Sequence, residues 1–96
     1  MMNNLESTAK FYARHLLEHI GADNGDKFKN NARQSAPSVY VLNRGVYGAN
    51  VTMKYDENAG TITTRAYNGY DTAEVTNKVS DYTPPADNAP KWVLAA

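Results

Sequence analysis

The chain contains no cysteine. That excludes a disulfide framework and any thiolate metal site, and it accords with a reducing compartment. No apolar run approaches the roughly 20 residues that cross a bilayer, so no membrane association is expected. There is no net charge either: ten Lys and Arg balance ten Asp and Glu. The charge total therefore selects no partner, and it lacks the cationic excess that phosphate binding normally leaves. A G-x-S-x-G elbow, a phosphate-binding glycine loop and a cysteine nucleophile are all missing. So are the signatures of RRM, KH and zinc-finger modules. No enzyme chemistry and no cofactor is expected on these grounds. The first six residues have neither the basic nor the apolar region of a signal peptide, and a cytoplasmic location is the expectation.

What is present fits one small domain of 96 residues. Tyr47, Ala49, Val51, Met53 and Tyr55 alternate with Gly48, Asn50, Thr52 and Lys54. Successive side chains on a strand point to opposite faces, so this pattern predicts a strand with one dry and one wet face. Such a strand belongs to an antiparallel sheet covered on one side. Two further biases are seven tyrosines, six of them between residues 40 and 82, and eleven asparagines. Tyrosine is favoured in sheets and equally at interfaces.

The spacing of Leu5, Ala9, Tyr12, Ala13, Leu16, Leu17 and Ile20 predicts an amphipathic helix over residues 5–20. Asn3 or Asn4 would cap it, and Gly21 would end it. A turn follows at Asp23-Asn24-Gly25-Asp26, then a short polar helix over residues 27–34 that must stop before Pro37. Residues 38–42 read as a strand, with Asn43-Arg44-Gly45 as a three-residue hairpin loop and Gly45 at positive φ. Strands over 46–55 and 61–67 complete a meander. Residues 68–82 admit two readings. Asn68-Gly69 marks a hairpin that pairs Tyr67 with Tyr70 and Ile62 with Val75. Asp71-Thr72-Ala73-Glu74 instead resembles a capping box, with Val75, Val79 and Tyr82 on one helical face. Residues 83–90 form a proline-containing linker to an apolar tail around Trp92. The expected core is Leu5, Tyr12, Leu16, Ile20, Val39, Val41, Val51, Met53, Ile62 and Trp92.

Three groups of residues could carry function. The first is His15-Leu16-Leu17-Glu18-His19. Two imidazoles at i and i+4 share a helix face and can hold one metal ion. The H-x-x-E-H spacing resembles the inverzincin signature, which implies zinc on His15 and His19 and Glu18 as general base. The wheel, however, sets Glu18 roughly 60–100° away from both histidines, toward Lys10 and Arg14. The second group is a cation-only stretch carrying Lys27, Lys29, Arg33 and Arg44, with Phe28 and Tyr40 interleaved, a pattern suited to nucleic acid. The third is the open sheet face, where Tyr40, Thr52, Lys54, Thr63, Arg65, Tyr67 and Tyr70 are expected to point outward. Tyrosine and arginine on a rigid surface are common interface anchors.

The resulting expectation is an α+β fold: an N-terminal amphipathic helix on one face of a three- to five-stranded, mostly antiparallel sheet. Functionally it is a non-enzymatic protein-binding module using Tyr40, Lys54, Arg65, Tyr67 and Tyr70. Short, cysteine-free, tyrosine- and asparagine-rich and poor in motifs, the chain resembles in kind the accessory proteins of phages and mobile elements. That resemblance implies an anti-CRISPR or anti-restriction style inhibitor, blocking a host protein or nucleoprotein complex. A nucleic-acid accessory protein and a histidine metal protein are the alternatives, and a homodimer fits any of them.

Overall fold

A computed structural model describes residues 4–82. Helix α1 spans Asn4–Asp23 and buries Leu5, Ala9, Ala13, Leu16 and Ile20, the stripe that the wheel predicts. The helix runs past Gly21. It ends where Asn24 (φ 59°) and Gly25 (φ 79°) take the left-handed conformation. The Asp23 carboxylate accepts the amides of Gly25 at 2.9 Å and Lys27 at 3.1 Å, which fixes the joint to the next helix. Gly21 has a different role: a Cβ there would lie 2.6 Å from the Tyr82 ring.

Helix α2, Asp26–Asn31, is held by one buried apolar residue, Phe28. It is shorter than predicted. Residues 33–34 open strand β1, Arg33–Ala36, instead. A helix with a single apolar anchor gains little by continuing, whereas an extended backbone can pair with the neighbouring strand.

Strands β1, β2 (Val39–Val46), β3 (Ala49–Asp56), β4 (Thr61–Tyr67) and β5 (Thr72–Lys78) form one antiparallel meander in that order. A 3₁₀ turn, Val79–Asp81, follows. The fold is therefore α+β, with α1 lying over β4 and β5 and touching β3. Of the two readings of residues 68–82 the hairpin is realised, but with Tyr67 opposite Thr72 and Ile62 opposite Asn77 rather than Tyr70 and Val75.

The first hairpin differs from expectation. Its turn is Tyr47-Gly48, with Gly48 at φ 79°, and Val46 pairs with Ala49. Asn43, Arg44 and Gly45 belong to strand β2. Extending β2 this far brings Leu42 opposite Met53 and Arg44 opposite Val51. A hydrogen bond from Thr52 Oγ1 to Asn43 Oδ1 (2.8 Å) pins that register across the strands.

Register decides which residues share a face. The inner face, toward α1, carries the rows Tyr40–Tyr55–Ile62–Asn77, Leu42–Met53–Thr64–Val75 and Arg44–Val51–Ala66–Ala73. Val51, Ile62 and Ala66 are fully buried there. The outer face carries Val39–Asp56–Thr61–Lys78, Arg33–Val41–Lys54–Thr63–Thr76, Asn43–Thr52–Arg65–Glu74 and Asn50–Tyr67–Thr72. Val39 and Val41 are thus half-buried on the outer face, not in the core. Trp92, the linker 83–90 and Asn3 lie outside the described residues.

Candidate functional site

The outer face of the sheet is built mainly from short polar side chains. Thr52, Thr61, Thr63, Thr72 and Thr76 alternate along β3, β4 and β5 with the buried residues of the inner face. Among them stand Lys54 and Arg65, both exposed, and the ring of Tyr67 at 45% exposure. Arg65 Nε lies 3.5 Å from Glu74 Oε2, with both side chains at least half exposed. Such a surface pair contributes little and is readily exchanged for another partner. Lys54, Arg33 and Lys78 have no ion-pair partner among the described residues. Asp56, by contrast, is engaged: its Oδ1 accepts Ser38 Oγ at 3.2 Å and the Ala59 amide at 3.1 Å. Hydrogen bonding leaves the Asp56 charge in place, so Lys54, Arg33 and Lys78 stand against one carboxylate and the charge outside ion pairs is net positive.

Two turns meet at one end of the sheet, because Asn50 at the start of β3 pairs with Tyr67 at the end of β4. Tyr47 sits on the first turn and is fully exposed; Tyr70 sits on the second at 93% exposure. The turns are two strand spacings apart, about 10 Å. Asn68 shapes the second turn, its Oδ1 accepting the amides of Tyr70 at 2.9 Å and Asp71 at 2.8 Å. Tyr47, Tyr67 and Tyr70 thus gather at one end of the sheet. The alternating pattern places Tyr47 on the dry side of a strand, and only the position of the turn releases it. Tyr40 takes the opposite course. It pairs with Tyr55 on the inner face and is half-buried, so it does not belong to the outward set.

The four cations of the basic stretch do not form a continuous track. Lys29 donates to Glu57 Oε2 at 2.6 Å, lies 3.6 Å from Asp26 and sits 5.8 Å from the centre of the Tyr40 ring. That hydrogen bond holds its ammonium above the usual lysine range. Arg33 lies on the outer face of edge strand β1. Lys27 and Arg44 converge elsewhere, on a cleft beside α1, together with His15 and His19.

The two histidines share one side of α1. Phe11, His15 and His19 form an aromatic ladder at i, i+4 and i+8, with centroids 5.8 Å and 5.0 Å apart. Burial lowers the pKa of His19, and the nearby His15 and Lys27 lower it further. Its Nδ1 is buried without a hydrogen-bond partner. Glu18, cast as the base by the metalloprotease resemblance, is buried on α1 with Arg14 Nε 3.7 Å away. The wheel's placement beside Arg14 holds, but Glu18 is buried there rather than in solvent. No group of three or more His, Asp or Glu is placed to hold a metal among the described residues. The histidine pair is a two-donor site, short of the three protein ligands of a catalytic zinc.

No protein-family model matches the chain, and no curated protein and no solved structure is significantly similar to it. No helix among the described residues is long and apolar enough to cross a membrane.

Proposed function

We propose that the chain is a non-enzymatic binding module that occludes another protein through the open face of its sheet. One observation carries this reading. A five-stranded sheet is covered by helices on one side; its other side carries Tyr67, beside two turns at the same sheet end that expose Tyr47 and Tyr70 among the described residues. Tyr67 and Tyr70 supply large rings that lose little rotamer entropy on docking, and Tyr47 extends the same edge. Lys54, Arg33 and Lys78 supply charge without internal partners, and Arg65 can leave Glu74 at small cost. The partner surface that fits is therefore rich in carboxylates and in acceptors for tyrosine hydroxyls. A small occluding inhibitor, of the kind that phages and mobile elements carry, is the form of such a module that this size and composition favour.

The test is affinity capture from lysate, with and without nuclease, using the wild-type chain and two variants. Arg65→Ala with Tyr67→Ala should lose the captured protein while keeping the wild-type melting temperature. Lys27→Ala with Lys29→Ala, both on α2 and off the outer face, should keep most of it. Capture that survives the first variant refutes the reading. Capture lost on nuclease treatment, or only in the second variant, transfers the function to nucleic acid and the basic stretch.

A further inference from the structure

A second site lies on the other side of the sheet and is independent of the surface just described. Helix α1 covers β3, β4 and β5 and leaves the inner face of β2 beside it. The gap is a half-open cleft of about 170 Å³. Its floor is apolar, made by Leu42 and Met53, which are paired across β2 and β3, and by Phe28 of α2. Its rim is polar and cationic: His15 and His19 from α1, Lys27 and Asn31 from α2, Arg44 from β2. Among the described residues no carboxylate lines it.

This is an unusual combination for a cleft with no second purpose. Lys27 and Arg44 are exposed, and neither has an ion-pair partner among the described residues. Arg44 sits on the inner face, in register with the fully buried Val51, where a strand residue is ordinarily apolar. His19, which lines the cleft, has a buried Nδ1 without a hydrogen-bond partner, and its depressed pKa reflects burial with His15 and Lys27 close by. Asp23 and Glu18 oppose that effect only in part. The walls are held in place. Lys29 bolts α2 to the β3–β4 turn through Glu57, and the Asp23 carboxylate fixes the joint between the helices. A cavity of about 150 Å³ is enough to take up a benzene ring.

We propose that this cleft binds a small organic anion: one carboxylate or phosphate carried on a body about the size of a single ring. The ring would lie on Leu42, Met53 and Phe28. The anion would take charge-assisted hydrogen bonds from Arg44 and Lys27, with the Asn31 amide as a further donor. A guanidinium suits both oxyanions, because its planar fork can give two parallel hydrogen bonds.

The test titrates benzoate and phenyl phosphate into the isotope-labelled full chain, followed by NMR. Benzyl alcohol serves as the uncharged control of the same size. Saturable shifts are expected at the His15 and His19 rings, the Asn31 side-chain amide and the Met53 methyl. At least one of the two anions should bind with Kd below about 10 mM and at least about tenfold more tightly than benzyl alcohol. Whichever anion binds more tightly identifies the preferred headgroup. Arg44→Gln and Lys27→Gln, both at exposed positions, should each weaken it by about tenfold without moving the melting temperature. Shifts that do not saturate for either anion, or equal binding of benzyl alcohol, overturn the proposal. So does binding that Arg44→Gln leaves unchanged. Because Arg65 and Tyr67 lie on the opposite face, their double alanine variant should bind the anion normally. Failure of the protein-capture reading would therefore leave this result standing.

Discussion

Thr64 is fully buried in β4, between Met53 and Val75 in its row, and its hydroxyl has no hydrogen-bond partner. An unsatisfied buried polar group costs about 1–3 kcal/mol, while replacing it by a methyl of the same shape leaves the packing intact. Thr64→Val should therefore stabilise the fold by about 1 kcal/mol. The readout is the urea midpoint, which should rise with the slope of the transition unchanged; an unchanged or lower midpoint would show that the hydroxyl has a partner. His19 makes a second residue-scale prediction. Its folded-state pKa is depressed below the ordinary 6.5, first by burial and then by His15 and Lys27. Between the folded and ordinary values the unfolded chain holds the extra proton, so stability rises with pH in that window. Its contribution is complete above 6.5 and is lost as pH falls from there toward the folded value. Melting temperature should decline over this range before the carboxylates titrate, and His19→Gln should flatten that decline. An identical slope in wild type and variant would place the effect on another group.

At the scale of elements, the first hairpin offers a direct contrast between two glycines. Gly48 holds φ 79° in the turn, whereas Gly45 has ordinary backbone and a Cβ there would meet only Asn50 Oδ1, at 3.9 Å. Gly48→Ala should cost about 1 kcal/mol, because an L-residue pays that much for the left-handed region. Gly45→Ala should be neutral or stabilise by a few tenths of a kcal/mol, since glycine weakens a strand interior. Thermal melts of the two variants in the reverse order would restore the turn to residues 43–45. This contrast also explains what could be read from the chain. The α1 stripe was legible because Leu5, Ala9, Leu16 and Ile20 repeat at helical spacing, and β3 because its alternation is unbroken. The β4–β5 hairpin was legible in kind. Its register is displaced by two residues, Tyr67 opposite Thr72 rather than Tyr70, and an even displacement keeps Val75 facing inward. The β2–β3 displacement is odd: Leu42 faces Met53 rather than Val46. An odd displacement exchanges the faces, so Tyr40 moved inward while Val39 and Val41 moved outward. Asn-Arg-Gly is a credible turn in isolation; it was outweighed by the apolar series Tyr40, Leu42 and Val46, which only a longer strand can bury.

Across the whole molecule, the candidate sites are products of topology more than of local pattern. Arg65 and Tyr67 could be placed outward from their own strand. Tyr47 joins them only because two turns share one sheet end, and Arg44 meets His15, His19 and Lys27 only because β2 lies beside α1. No spacing along the chain carries that information. The same topology makes stability uneven. Helix α1 rests on β4 and β5, and β4 is paired on both sides with Ile62, Thr64 and Ala66 buried. Strand β1 is an edge strand of four residues, all exposed, with a register irregularity between Gln34 and Ala36. Its amides are held by one neighbour and by no buried side chain of their own. Hydrogen exchange should therefore be slowest at the paired amides of β4 and adjacent β3, where opening requires global unfolding, and fastest within β1. The gradient bears on both proposals. A surface that docks on the rows of β3 and β4 would rest on the most rigid part of the sheet and need little ordering on binding. The anion cleft has its floor on the β2–β3 boundary, and one of its walls, α2, leads directly into β1. Ligand binding there should slow exchange in α2 and β2, and also at the globally exchanging amides of β4, because a ligand that binds only the folded chain raises the free energy of global unfolding. Protection of β1 equal to that of β4 in the free chain would mean that the sheet opens as a single unit. It would remove the physical basis for placing the docking face on the most rigid strands of the sheet.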